Sequence, residues 1–177
     1  MARKVKIIEQ YQDYRPPVQV NGTVELLMRH VPAEHLAGLR HVVMTNSASL
    51  LSTSKGKYLA EDGRRFKAAE CNGLYSNGNI FLVIDRILRN YPEWFLFVPL
   101  IKALAIGDIL YHEVGHHIHQ LEQPGYRDNE EPTADEWRDK LLREFFKKRY
   151  WYLAPPLRLY VRLIHPRLVS SKSVTPV

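Results

Sequence analysis

The segment His112-Glu113-Val114-Gly115-His116 sets two imidazoles four positions apart, with a carboxylate directly after the first. On an α-helix that spacing is about one turn, so both rings share a face and can converge on one ion at about 2.1 Å. Glu113 is rotated about 100° from His112, beside such an ion and not on it. A general base belongs there: zinc lowers the pKa of bound water and polarises a carbonyl, and a neighbouring carboxylate accepts the proton.

Two histidines bind weakly, and a catalytic zinc takes three protein ligands plus water. His117 points about 100° away from His116, and His119 lies roughly 10 Å along the axis from His112, so both are read as structural or solvent-facing. A metzincin continuation would place Gly at 119 and His at 122, where the chain has His119 and Glu122. Further on, Glu131-Pro132-Thr133-Ala134-Asp135 opens another helix. Glu131 and Asp135 share a face of it, so Glu131 can coordinate the ion while Asp135 reaches an imidazole N–H. The plainer reading is that Glu130, Glu131, Asp135 and Glu136 are first-turn acids that complement the helix dipole. Ala134 is small where two helices would cross, and Gly115 costs about 1 kcal/mol relative to alanine unless a close backbone approach demands it. Both favour the ligand reading. Pro132 puts Glu131 at the helix boundary, which leaves Glu130 and Glu136 open in its place.

These residues must be positioned by helices and a sheet. Pro99 suits the first turn of a buried helix over 99–106, with Gly107 ending it. Asp108 then caps a second helix from Ile109 to about Leu121, and Gln123-Pro124-Gly125 closes that one. A third helix runs from Glu131 or Pro132 to Tyr150, with Trp137, Leu141 and Phe145 as its apolar stripe. Short strands are expected at 4–8 and 40–45, with a helical turn over Pro32–Leu36 between them. Residues 52–79 read as hairpin and loop. The turn Ser76-Asn77-Gly78-Asn79 leads into Ile80-Phe81-Leu82-Val83-Ile84, the strongest strand in the sequence.

His-Glu-x-x-His followed by Glu-x-x-Ala-Asp resembles the gluzincin clan of zinc metallopeptidases, and the small size resembles its minimal members, the minigluzincins. The resemblance covers about residues 73–146. It implies one zinc ion held by His112, His116 and Glu131, Glu113 as general base and acid, and Asp135 as hydrogen-bond partner of a ligating histidine. It also implies an α+β, zincin-like fold: a small twisted sheet over the His-Glu-x-x-His helix and the following glutamate helix. Ile80, Phe81 and Leu82 would then lie on the edge strand that holds an extended peptide or protein substrate. An oxyanion-stabilising group is wanted as well, for which Tyr126, Tyr75 and His119 are candidates. Peptide deformylases offer a rival resemblance, with a cysteine ligand about 40 residues before the histidine motif, as Cys71 stands here. The sequence Ala69-Glu70-Cys71-Asn72-Gly73 does not reproduce their Glu-Gly-Cys-Leu-Ser motif, and a lone Cys is more often a small buried hydrophobe.

A chain of 177 residues, 45% hydrophobic and 25% charged, suits one folded domain, read as residues 1–165 with a loose tail at 166–177. The apolar stretch from Trp94 to Ile106 is shorter than the roughly 20 residues of a membrane span. The basic start is followed by Glu9, Gln10, Gln12 and Asp13 where a signal peptide needs an apolar core, so a cytoplasmic location is expected. A single cysteine excludes an internal disulfide and four-cysteine zinc sites. The net charge of +6 is uneven: residues 138–177 hold ten Lys or Arg against two acids, a net +8, leaving −2 for the rest. Interleaved with Tyr150, Trp151, Tyr152 and Tyr160, that charge supports an alternative from another class, a nucleic-acid-associated or regulatory binding module with a structural zinc site. The plainer account is a solvated basic helix face with packing aromatics.

Overall fold

The computed structural model describes residues 5–54, 57–59, 65–67, 71–125 and 129–153. Tyr126, Tyr160, the apolar segment 157–164 and the expected tail boundary at 166 lie outside them. By its internal packing the chain divides into two compact units, residues 1–142 and 143–177.

The first unit is α+β. In chain order it contains β1 (Lys6–Gln10), α1 (Asn21–Met28), a 3-10 turn (Ala33–Leu36), β2 (His41–Thr45), α2 (Ser47–Ser54), β3 (Lys57–Leu59), β4 (Arg65–Lys67), β5 (Gly73–Ser76), β6 (Asn79–Val83), α3 (Ile84–Arg89), α4 (Glu93–Leu96) and α5 (Pro99–Glu122). A last helix, α6 (Glu130–Arg149), begins in this unit and contains its boundary. No helix among the described residues is long and apolar enough to cross a membrane.

Four strands form a mixed sheet in the order β1-β2-β6-β5, and β3 pairs with β4 in a separate antiparallel ribbon. β1, β2 and β6 are parallel, in a register that aligns Ile7 with Val42 and Val42 with Ile80. β5 folds back antiparallel on the outer side of β6. Asn77 and Gly78, with φ of 48° and 72°, make the two-residue turn between them, whose positive dihedrals match the twist of a hairpin. This overturns the expected edge position of Ile80, Phe81 and Leu82. Their strand is β6, bonded to β2 on one side and to β5 on the other, so the edge is Gly73–Ser76. The physical reason is burial: Ile80 and Leu82 are fully enclosed, as residues of an inner strand are. Ile84, expected to end the strand, starts α3 instead.

The expected break at Gly107 is also absent. α5 runs unbroken for 24 residues, because Ala103, Ile106, Leu110, Val114 and Ile118 form one buried stripe that spans the glycine. Gly107 serves packing there: a Cβ would stand 3.2 Å from Leu27 Cδ2 and 3.1 Å from Leu142 Cδ2. Tyr111, on the same helix, donates its hydroxyl hydrogen to the Leu27 carbonyl at 2.9 Å.

α6 crosses α5 at Gly115 and Ala134, as their sizes lead one to expect. A Cβ on Gly115 would come within 2.6 Å of Ala134 Cα and 2.7 Å of its carbonyl oxygen. Both are backbone atoms, which cannot step aside. Ala134 is fully buried, and Leu141 continues the inward face of α6 while Trp137 is half-buried. In the second unit, Phe145 and Phe146 meet edge to face at 5.2 Å, and Tyr150 contacts both rings. Lys147, Lys148, Arg149, Trp151 and Tyr152 are exposed.

In a helix interior Gly→Ala ordinarily stabilises by about 1 kcal/mol. At Gly115 we expect the opposite sign, a loss of about 1 to 3 kcal/mol from overpacking against Ala134, in denaturant titrations of metal-free Gly115→Ala. A gain in stability would rule out the close crossing.

Candidate metal centre

Because α5 is a single helix at this point, His112 and His116 stand one turn apart, and the Gly115–Ala134 crossing brings the first turn of α6 over them. The two Nε2 atoms are 3.2 Å apart. Glu131 Oε2 lies 3.4 Å from His112 Nε2, and its Oε1 lies 3.8 Å from His116 Nε2. Donors arranged tetrahedrally around an ion at about 2.1 Å are separated by about 3.4 Å. The three side chains offer two imidazole nitrogens and one carboxylate oxygen, all within 4.8 Å of one another, a group that could hold a metal ion. Among the described residues they are the one group of three or more His, Cys, Asp or Glu side chains able to hold a metal.

The outer nitrogens of both rings face carboxylates. His112 Nδ1 is 3.1 Å from Asp135 Oδ1, a contact in which the carboxylate would accept from Nδ1–H and free Nε2 for a metal. His116 Nδ1 is buried and lies 3.2 Å from Glu130 Oε1. Glu130 thus sits behind the second histidine and not among the donors, and Glu136 is exposed and outside the group. Burial holds the His116 imidazole below its ordinary pKa, against the pull of Glu131, which favours the neutral ring a metal needs.

Glu113 is 6% exposed and is not one of the donors. Its carboxylate accepts a hydrogen bond from the backbone N–H of Tyr75 on the edge strand. Burial, with Glu131 and Glu130 as nearby negative charges, pushes its pKa up to about 8 against that hydrogen bond. A divalent cation held by the neighbouring donors would draw the value back down. β5 approaches α5 so closely here that a Cβ on Gly73 would fall 2.4 Å from Glu113 Oε1 and 2.6 Å from Ile109 Cγ2. Gly73 is therefore part of the site, and nothing in its sequence context signals this. Arg138, which donates to Asp135 Oδ1 at 2.8 Å, is a second residue unforeseen from the sequence, although its spacing from Asp135 is helical.

His117 has the structural role expected of it. Its Nε2 is 3.0 Å from the Ala37 carbonyl and its Nδ1 is 2.9 Å from the Tyr75 hydroxyl. His119 is buried. The Tyr75 hydroxyl, held by His117 and by Gln120 at 2.6 Å, is committed away from the three donors. Cys71 packs against Leu50 and Val83, its carbonyl accepts from Arg86 at 3.0 Å, and burial raises its thiol pKa.

In zinc titrations against a chromophoric chelator, we expect Asp135→Ala to weaken binding by roughly 10- to 100-fold, and Glu131→Ala to weaken it more. Cys71→Ser should bind nearly as the unsubstituted chain does. Loss of metal in the cysteine variant with retention in Glu131→Ala would transfer the site to a thiolate-containing set. No protein-family model matches this chain, and no curated protein or solved structure matches it either.

Proposed function

We propose that the chain is a zinc-dependent metallopeptidase of gluzincin type, hydrolysing peptide bonds with Glu113 as general base and acid. The observation that carries this reading is the division of labour along α5 and α6. Three potential donors, one from each of His112, His116 and Glu131, lie within 4.8 Å of one another, while the carboxylate next in sequence to His112 stays out of the group, buried beside it. A structural zinc site has all four positions filled by protein, whereas three donors leave one position open, as hydrolysis requires.

When bound, zinc supplies Lewis acidity to the scissile carbonyl and to the attacking water. The chain's own residues do the rest. Asp135 fixes the His112 ring by accepting its Nδ1 hydrogen. Glu113 takes a proton from the attacking water on its carboxylate and delivers it to the departing amide nitrogen. Its enclosure under β5 keeps bulk water from competing for that proton. In this reading the substrate backbone lies in extended form along Gly73–Ser76, so the edge role first assigned to Ile80, Phe81 and Leu82 passes to β5.

Cleavage of a mixed peptide library by the zinc-loaded chain, followed by mass spectrometry, tests the proposal. Glu113→Gln should keep zinc and fold while losing activity by at least roughly 100-fold, since the amide preserves shape but cannot accept a proton. A glutamine variant as active as the parent would end the proposal. Gly73→Ala should also lose activity while still binding zinc, because the added methyl displaces the Glu113 carboxyl and leaves the histidines alone.

A further inference from the structure

Arg138 stands on α6 at the centre of three carboxylates. Nη1 donates to Asp135 Oδ1 at 2.8 Å, and Nε and Nη2 both donate to Asp139 Oδ1 at 3.0 Å. Nε also lies 3.5 Å from Asp108 Oδ1, on the other helix. The spacings explain how these groups meet. Asp108 is one turn before His112 on α5, and Arg138 is one turn after Asp135 on α6. The guanidinium therefore spans the helix pair on the side where the histidine partner stands. Asp135 Oδ1 is the shared atom: it takes the Arg138 hydrogen bond and also faces His112 Nδ1 at 3.1 Å.

We propose that Arg138, braced by Asp108, is a positioning residue for the metal centre: it fixes the Asp135 carboxylate so that His112 keeps its hydrogen on Nδ1 and its Nε2 lone pair toward the ion. This rests on the metal-binding reading above. A rigid planar fork suits the task, because its N–H donors stand at fixed angles, whereas the three donors of a lysine ammonium rotate freely on a flexible stem and hold no one carboxylate in a set orientation. The pairs are worth little as stability. Arg138 is 27% exposed in its side chain and the aspartates about half, where water screens ion pairs. Orientation of a ligand is a different quantity, and simple charge gives it the opposite sign. Removing a cation from beside a cation site should tighten metal binding by Coulomb's law, whereas loss of a positioning group should weaken it.

The test compares the unsubstituted chain with Arg138→Gln, Arg138→Lys, Asp135→Asn and the Arg138→Gln/Asp135→Asn double variant at one pH. Zinc affinity is measured by chelator competition, and the His112 tautomer in metal-free protein by ring nitrogen NMR shifts. Arg138→Gln should weaken zinc binding by roughly 3- to 10-fold and reduce the share of His112 with its hydrogen on Nδ1. Arg138→Lys, which keeps the charge and loses the fork, should weaken binding at least as much. In the Asp135→Asn background the Arg138→Gln effect should shrink to less than about twofold, because its route has been removed. Tighter or unchanged zinc binding in Arg138→Gln, or a full effect persisting in the Asp135→Asn background, would overturn the proposal. Failure of the unsubstituted chain to take up zinc would instead count against the metal reading. The tautomer measurement then decides for Arg138 alone, an unchanged His112 ring refuting the role.

Discussion

The approach of Gly115 to the Ala134 backbone governs everything that follows from it in this molecule. Two helices normally pack at about 8 to 10 Å between axes because side chains keep them apart. Here one helix has no side chain at the contact and the other has a methyl group, so the first turn of α6 descends onto the histidine face of α5. A carboxylate as short as that of Glu131 can then reach two imidazole nitrogens from a neighbouring helix. The acids of the first turn also gain from the helix dipole, so the donor and its neighbour Glu130 are placed where negative charge costs least.

A second contact, on the opposite side of α5, is made by the sheet. Gly73 brings β5 against Glu113, and the Tyr75 N–H satisfies the carboxylate that this contact buries. Tyr75 then uses its hydroxyl to fasten the same strand to His117 and Gln120 further along the helix. Glu113, next in sequence to His112, is thereby held by the sheet as well as by the helix that carries it. Its raised pKa has the same origin, since enclosure disfavours the charged form and the nearby Glu131 and Glu130 add to the effect.

What was legible from the sequence divides along the same line. Histidine spacing, the Glu131–Asp135 face and the small pair Gly115 and Ala134 are local patterns, and helical geometry converts them directly into proximity. The Asn77-Gly78 turn is equally local, and the hairpin forms where it indicates. Strand neighbours are not local. Nothing within Ile80–Leu82 shows that β2 will pair on its far side and turn a candidate edge into an inner strand. Gly107 misleads because its propensity cost of about 1 kcal/mol is outweighed by burial of the stripe on either side. α1 carries too short a pattern, Thr23, Val24, Leu27 and Met28, to stand out before its packing partner is known. Gly73 is silent for the same reason, since its neighbour Glu113 lies far along the chain.

The metal donors and Asp135 all fall between residues 112 and 135, on one helical hairpin, whereas the enclosure of Glu113 depends on a strand from much earlier in the chain. In the proposed function, ion retention and base placement would therefore rest on different contacts within the first unit. A transient lifting of β5 from α5 would release the Tyr75 hydrogen bond and hydrate Glu113 while leaving every donor in place. The hairpin needs only short-range contacts to form and can assemble early in folding. The edge strand waits on long-range pairing. In the proposed function, holding an ion and moving a proton would thus be separable in time during folding, and separable in stability afterwards.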